Sequence, residues 1–198
     1  AVIEDNDIVP SDTFDDFWEW DPDTGEWEEQ VCGEQCQRTM HSMAYDPLRN
    51  KAVVFGGVSV FSEEHEVYND LWELDIESET WSEKVSSFLK PNLPISGQGG
   101  LLISTAYDSD RDVIILSGRQ DDKIEVWEWN NKSRDWKHRP TEGVRPDYLD
   151  SYNMKMAYDP DRKKCVLFGN YSNIWEWDTE VGEWTERVSP EPTADPRI

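Results

Sequence analysis

The sequence predicts an all-β fold: a propeller of four-stranded antiparallel sheets, with three complete blades preceded by an N-terminal half blade and belonging to a larger ring. Three observations carry that prediction. A Trp-flanked block occurs four times, its first and last Trp at 18 and 27, 72 and 81, 127 and 136, and 175 and 184. A second block, built on Ala-Tyr-Asp and a short apolar run, occurs three times between copies of the first. Within both blocks apolar and polar residues alternate with the period of a half-buried strand, and no segment suggests a helix of useful length.

The Trp block reads FWEWDPDTGEW from Phe17 to Trp27, and returns as LWELDIESETW from Leu71, VWEWNNKSRDW from Val126 and IWEWDTEVGEW from Ile174. Trp18 and Trp20 alternate with Glu19 and Asp21, then turn formers intervene, then a Trp-anchored strand follows. This is a hairpin. The second block reads MAYDPLRNKAVVFGG (Met43 to Gly57), TAYDSDRDVIILSG (Thr105 to Gly118) and MAYDPDRKKCVLFGN (Met156 to Asn170). Asp46, Asp108 and Asp159 open its turns, Arg49, Arg111 and Arg162 follow three residues later, and an apolar β-branched strand completes a second hairpin. Two hairpins in every ~50 residues make a four-stranded blade. Lettering the strands a to d, the expected organisation is one propeller segment over 1–198. It divides into a half blade at 14–31, blades at 38–86, 101–139 and 152–188, and a linker or start of a next blade at 189–198. A half blade and a last blade facing nothing predict an excerpt of a longer propeller, or closure with other chains.

These motifs resemble those of the kelch-repeat propellers, in particular bacterial-type repeats with D-x-W-E-W-D and A-Y-D-P…F-G-G blocks. Gly56-Gly57 is the full glycine pair; Ser117-Gly118 and Gly169-Asn170 depart from it. The resemblance spans roughly Phe14 to Val188. It implies a propeller and says less about function, because kelch propellers serve as binding scaffolds and also carry enzymes. Galactose-oxidase-like copper chemistry occurs on such a propeller, but its ligands have no residue-by-residue match here. The sialidase Asp-box and the quinoprotein Trp motif both fail on spacing.

Composition bounds the partner. With 43 Asp+Glu against 19 Lys+Arg the formal net charge is −24, which argues against a nucleic-acid backbone or an anionic membrane surface. No apolar run approaches the ~18 residues a membrane-spanning helix needs. Nor is there a phosphate-cradling glycine loop, a G-x-S-x-G motif, or a His in a recognisable catalytic setting, so no catalytic residue, cofactor or metal is assigned. Asp21-x-Asp23-x-Gly25 resembles the opening of a calcium loop but lacks the closing carboxylate, and reads as a turn. Cys32 and Cys36, with His41 nearby, fall short of the four ligands zinc takes. The pair reads as a local disulfide in an exported protein or as two free thiols in a reducing compartment, and Cys165 as a buried inert thiol. An extracytoplasmic or secreted location is the favoured reading.

The loops place the working face. In an antiparallel blade the a–b and c–d turns share one end, and here they hold near-constant length. The b–c and d–a connections share the other end and vary. On that end the candidate contacts are Phe61, His65, Arg119, Gln120, Arg145, Tyr148 and Tyr171, since Arg and Tyr commonly anchor binding surfaces. The leading expectation is a non-enzymatic binding or scaffold module recognising a protein or glycan. The alternatives are the propeller portion of a secreted enzyme, an oxidase or glycan-active protein with its catalytic residues outside this segment, and a structural component of a multi-chain assembly. Other chains or missing blades would then complete the propeller. The tryptophans are expected to form blade-to-blade core rather than a stacking platform, because a ligand site rarely recurs identically in every blade.

Overall fold

The computed structural model describes residues 16–30, 32–59, 66–86, 90–93, 103–120, 123–141, 143–146, 154–168 and 174–187. Among them the strands form four antiparallel sheets. Sheet I pairs β1 (Phe17–Asp21) with β2 (Glu26–Gln30). Sheet II runs β4 (Ser42–Asp46), β5 (Lys51–Ser59), β6 (Val67–Asp75) and β7 (Thr80–Lys84), with the short β3 (Arg38–Thr39) also on β5. Sheet III holds β8 (Ile103–Asp108), β9 (Val113–Gln120), β10 (Lys123–Asn130) and β11 (Asp135–Arg139). Sheet IV holds β12 (Lys155–Asp159), β13 (Lys164–Phe168), β14 (Ile174–Asp178) and β15 (Glu183–Arg187). This is an all-β propeller architecture with consecutive strands paired in each sheet.

The innermost strands β4, β8 and β12 lie side by side. Ser42 Oγ accepts from the Thr105 amide at 2.8 Å, and the two hydroxyls are 2.9 Å apart. Core forms between sheets. Trp127, Trp129 and Trp136 of sheet III pack on Val53, Phe55 and Leu71 of sheet II. Trp175, Trp177 and Trp184 of sheet IV pack on Ile115, Ile124 and Val126 of sheet III. Register explains the orientation: Trp129 opposes Trp136 and Trp177 opposes Trp184, so each cross-strand Trp pair shares one face and points at the preceding sheet. The tryptophans of these two sheets are therefore core.

The glycines before the b–c connection serve two different needs. Gly56 and Gly57 have φ of +67° and +110°, and the pairing of β5 with β6 shifts between Phe55 and Gly57, a bulge that L side chains resist. At Gly118 the need is space rather than a positive φ: a Cβ there would lie 2.4 Å from Leu93 Cδ1. The counterpart Asn170 lies outside the described residues.

Candidate functional site

One end of the blades is closed by uniform turns. The a–b turns occupy 47–50, 109–112 and 160–163, and the c–d turns 22–25, 76–79, 131–134 and 179–182, so every one spans the same number of residues. The a–b turns end on Asn50, Asp112 and Lys163 at φ of 52°, 57° and 53°. Asp46 Oδ1 accepts from the Leu48 and Arg49 amides at 3.0 and 3.2 Å, and Asp108 and Asp159 cap their turns likewise. Each turn arginine then bridges two carboxylates: Arg49 reaches Asp46 at 2.6 Å and Glu73 at 2.7 Å, Arg111 reaches Asp108 and Glu128, and Arg162 reaches Asp159 and Glu176.

Those glutamates are the middle residue of the W-E-W or W-E-L strand and are buried. A second cation reaches each from strand d: Lys84 on Glu73, Arg139 on Glu128 and Arg187 on Glu176. In sheet I the neutral Gln30 donates to Glu19 at 3.1 Å. A carboxylate left buried without such partners would be costly, so this network supports the blade and engages the Nε and Nη1 donors of each turn arginine. Hydrogen bonds from Arg187 and then Arg162 hold the Glu176 carboxyl below its ordinary value. Lys51 Nζ, 2.7 Å away, takes Asp75 down to about 2. The Asp21-x-Asp23-x-Gly25 segment is a capped turn: Asp21 Oδ1 accepts the Asp23 amide at 2.7 Å, and Gly25 sits at φ +74°.

At the opposite end the connections differ in length. The b–c connections run over 60–66, 121–122 and 169–173, and the d–a connections over 31–37, 85–102 and 140–154. Of the sequence candidates, Phe61, His65, Tyr148 and Tyr171 lie outside the described residues. Arg119 and Gln120 do not follow the strand but finish it, opposite Ile124 and Lys123 in β9–β10, and both are half-buried. Arg145 is half-buried, and its Nη1 donates to Thr141 O at 3.1 Å, tying it to its own loop. None of the bonds described brings Arg119, Gln120 and Arg145 onto one another.

What this end does assemble centres on Arg38, a residue the sequence reading passed over. Its guanidinium makes a bidentate pair with Asp70 at 2.7 and 3.0 Å and donates to Gly56 O at 2.8 Å and Gln35 O at 2.6 Å. It also lies 4.6 Å over the Tyr68 ring. Asp70 in turn accepts from Trp72 Nε1 at 2.7 Å. A disulfide joins Cys32 to Cys36 (Cα–Cα 5.9 Å) just before Arg38, so the covalent loop presents the Gln35 carbonyl. Cys165 is buried in β13, and that burial pushes its thiol well above the ordinary range. Beside Arg38 is a cleft of about 250 Å³ between sheets I and II, walled by Phe17, Trp18, Trp81, Met43 and Val54, with Arg38 and His41 at its polar side. Phe17 and Trp81 meet edge to face at 6.0 Å. Crowding in the cleft wall, and secondarily the Arg38 charge, push the His41 imidazole below its ordinary value.

Chemically, the end offers an apolar aromatic cleft, an imidazole whose charged form burial disfavours and a fully engaged arginine. Among the described residues no cluster of three or more His, Cys, Asp or Glu is arranged to hold a metal ion. The signal for the buried glutamates was present in the sequence: Glu73 and Lys84, Glu128 and Arg139, and Glu176 and Arg187 share one spacing. Arg38 carried no such signal, since its partners Gly56 and Asp70 are distant in the chain.

Comparison with known proteins places this architecture. The family described as the KLHDC2/KLHL20/DRC7 Kelch-repeats domain matches residues 5–197. Among solved structures, TolB from Acinetobacter baumannii superposes with a TM-score of 0.55 at 13% identity, covering 88% of this chain and 38% of its own. YjhT superposes with a TM-score of 0.57 at 13% identity, covering 86% of this chain and 57% of its own. The chain thus spans less than two thirds of either, and at such identities the likeness is one of fold. Kelch-repeat domains generally mediate protein binding or scaffolding. With four Trp hairpins, three Ala-Tyr-Asp hairpins, all-antiparallel blades and a match along nearly its whole length, the chain belongs to the kelch-repeat β-propeller family.

Proposed function

We propose that the chain is a non-enzymatic binding module that recognises a protein or glycan with its b–c and d–a end. One observation carries the reading: every turn at the other end has the same length and each a–b turn is pinned by an Asp–Arg–Glu bridge, whereas the connections at this end range from 121–122 to 85–102. Stability requires the first pattern and is indifferent to the second, and variable connections on a rigid scaffold are where recognition is usually placed. The contacts are Phe61, His65, Arg119, Gln120, Arg145, Tyr148 and Tyr171. The aromatic cleft beside Arg38 supplies a place for an apolar side chain. In a strongly acidic field the arginines mark where an acidic group on the ligand would be held.

The test is a peptide array and a glycan array probed with the chain and two variants. Arg119→Ala, Arg145→Ala and Tyr171→Ala combined should retain the native melting curve and lose the hits. Leu48→Asp with Lys132→Glu, both at exposed positions of the turn end, should retain them. Arg49, Arg111 and Arg162 are unsuitable as controls, because each neutralises a buried glutamate. Hits that survive the first variant and vanish with the second would put recognition on the turn end instead.

A further inference from the structure

The b–c connection of sheet II, 60–66, springs from a corner that has no counterpart in sheets III and IV among the described residues. There the short β3 lies on the far end of β5, with Arg38 opposite Ser59 and Thr39 opposite Val58. The Ser59 amide in turn donates to Glu66 O at 2.8 Å and closes the base of the connection. β3 therefore braces the stem of a connection whose sequence includes Phe61 and His65.

Two paired residues are a weak hold, because so short a ladder offsets little of the entropy lost in ordering the chain. The Arg38 side chain, 4% exposed, supplies the rest. Three of its hydrogen bonds go to the body of sheet II, on Gly56 O and both Asp70 oxygens. The fourth, from Nε, goes to Gln35 O at 2.6 Å, in the chain just before β3. That carbonyl is aimed by the disulfide ring. Cys32 and Cys36 enclose only Gly33, Glu34 and Gln35, and the Cys36 amide donates to Gly33 O at 3.0 Å within a single 3-10 turn, Glu34–Cys36. On the other side of β3 the chain passes through Met40 at φ +57°, a left-handed conformation unusual for a residue with a side chain, before it enters β4. β3 is thus fixed between a covalent ring and a disfavoured backbone angle.

We propose that the Cys32–Cys36 bond is a redox-operated clasp: its reduction releases β3 from β5 and loosens the stem of the 60–66 connection while the blades stay folded. The reductant is a dithiol, small or protein-borne. One of its thiolates attacks a ring sulfur, forms a mixed disulfide and expels the other cysteine as a thiolate. Its second thiolate then displaces the first cysteine, so the reductant leaves as a disulfide, and two electrons and two protons remain on the chain as two thiols. Both cysteines are half-buried, whereas Cys165 is buried and takes no part. Once the ring opens, Gln35 hangs on a segment that begins with Gly33, and its carbonyl is no longer held on Arg38. The Nε donor is then buried without an acceptor, which favours swinging Arg38 out and freeing β3. The pairing of β4, β5, β6 and β7, and the Trp core behind them, involve no residue of the ring.

The experiment is hydrogen exchange read by mass spectrometry on the 198-residue chain, oxidised and after dithiothreitol, with alkylation counting the thiols released. On reduction the amides of 38–39, 58–59 and 66–68 should exchange at least ~tenfold faster, while those of β8 to β11 keep their rates. Reoxidation should restore the slow rates. Cys32→Ser with Cys36→Ser should exchange fast at the same amides without reductant and should not respond to it. Arg38→Lys, with the disulfide intact, should also exchange fast there, and reduction should then add little. If that variant fails to fold, reduction of the wild type alone decides. Unchanged rates at 38–39 and 58–59 after two thiols have been released overturn the proposal. So does an acceleration spread equally over β8 to β15, which would make the disulfide a support of the whole fold. The readout is the chain's own protection, so it holds or fails whether or not the proposed binding function does.

Discussion

Arg111→Met tests the account of how the blades tolerate a buried glutamate. The substitution keeps the stem roughly in place and deletes the guanidinium. Two charge-assisted bonds disappear, Nε to Asp108 at 2.6 Å and Nη1 to Glu128 at 2.9 Å. Each carboxylate keeps some support: Asp108 retains the Asp110 and Arg111 amides, and Glu128 retains Arg139 at 2.9 Å. Complete isolation of a buried partner costs ~3–5 kcal/mol, and a single charged hydrogen bond ~1.5–3 kcal/mol. Because support survives on both sides and the arginine itself is partly solvated, the expected loss is about 2–3 kcal/mol. For a chain of this size that lowers the melting temperature by roughly 4–12 °C. Arg162→Met makes the internal control. It removes the same two bonds, but the Arg162 side chain is 50% exposed against 27% for Arg111, so water replaces much of what is lost and the drop should be distinctly smaller. Arg111→Lys should recover only part of the loss, because an ammonium cannot reproduce the two-pronged contact. Scanning calorimetry at ~5 μM, with urea titrations as a second probe, reads all three. Equal losses for Arg111→Met and Arg162→Met would refute the argument that burial sets the cost.

Three further outcomes follow from the same structure. Under native, non-reducing conditions Cys32 and Cys36 should resist alkylation and Cys165 should react only after unfolding; reduction should lower stability by at most ~2 kcal/mol on the loop-closure scale, so three readily modified thiols would contradict the disulfide. Gly57→Ala should destabilise by more than ~1 kcal/mol, since φ is +110° and the new Cβ would lie 2.9 Å from Thr39 O, whereas Gly25→Ala at φ +74°, with open space around it, should cost visibly less in a urea titration. Asp75, Asp159 and Glu176 all have carboxyls lowered in the folded state, by Lys51, Arg162 and Arg187 respectively. The folded chain therefore binds fewer protons than the unfolded one, and the contribution present above the ordinary carboxylate range is lost as pH falls from ~4 towards about 2. A melting temperature flat across that window in calorimetry would mean that these pairs do not contribute.

The sequence determined the propeller because blades are local objects. A hairpin's strands are neighbours in the chain, so alternation, turn residues and a fixed Trp spacing suffice to describe each one. Repetition then separates structural positions from incidental ones: Trp136 and Trp184, at a place that holds Trp in all four copies, were legible as core. The Asp–x–x–Arg turns were legible as turns. Their service to Glu73, Glu128 and Glu176 was not, because that bond joins strand a's turn to strand c and appears in sequence only as a spacing whose meaning requires the register. Three things were decided by the tertiary structure alone. Arg119 and Gln120 became strand residues because β9 and β10 pair nearly to their ends, which no residue type at those positions announces. Gly118 became obligatory through Leu93, a contact between a loop and a strand distant in the chain. Identical residues also acquired opposite fates by place: Phe55 is enclosed and Phe168 exposed, Trp136 is covered and Trp27 open, because burial depends on which sheet stands opposite, and a one-dimensional pattern repeats the face without stating its neighbour.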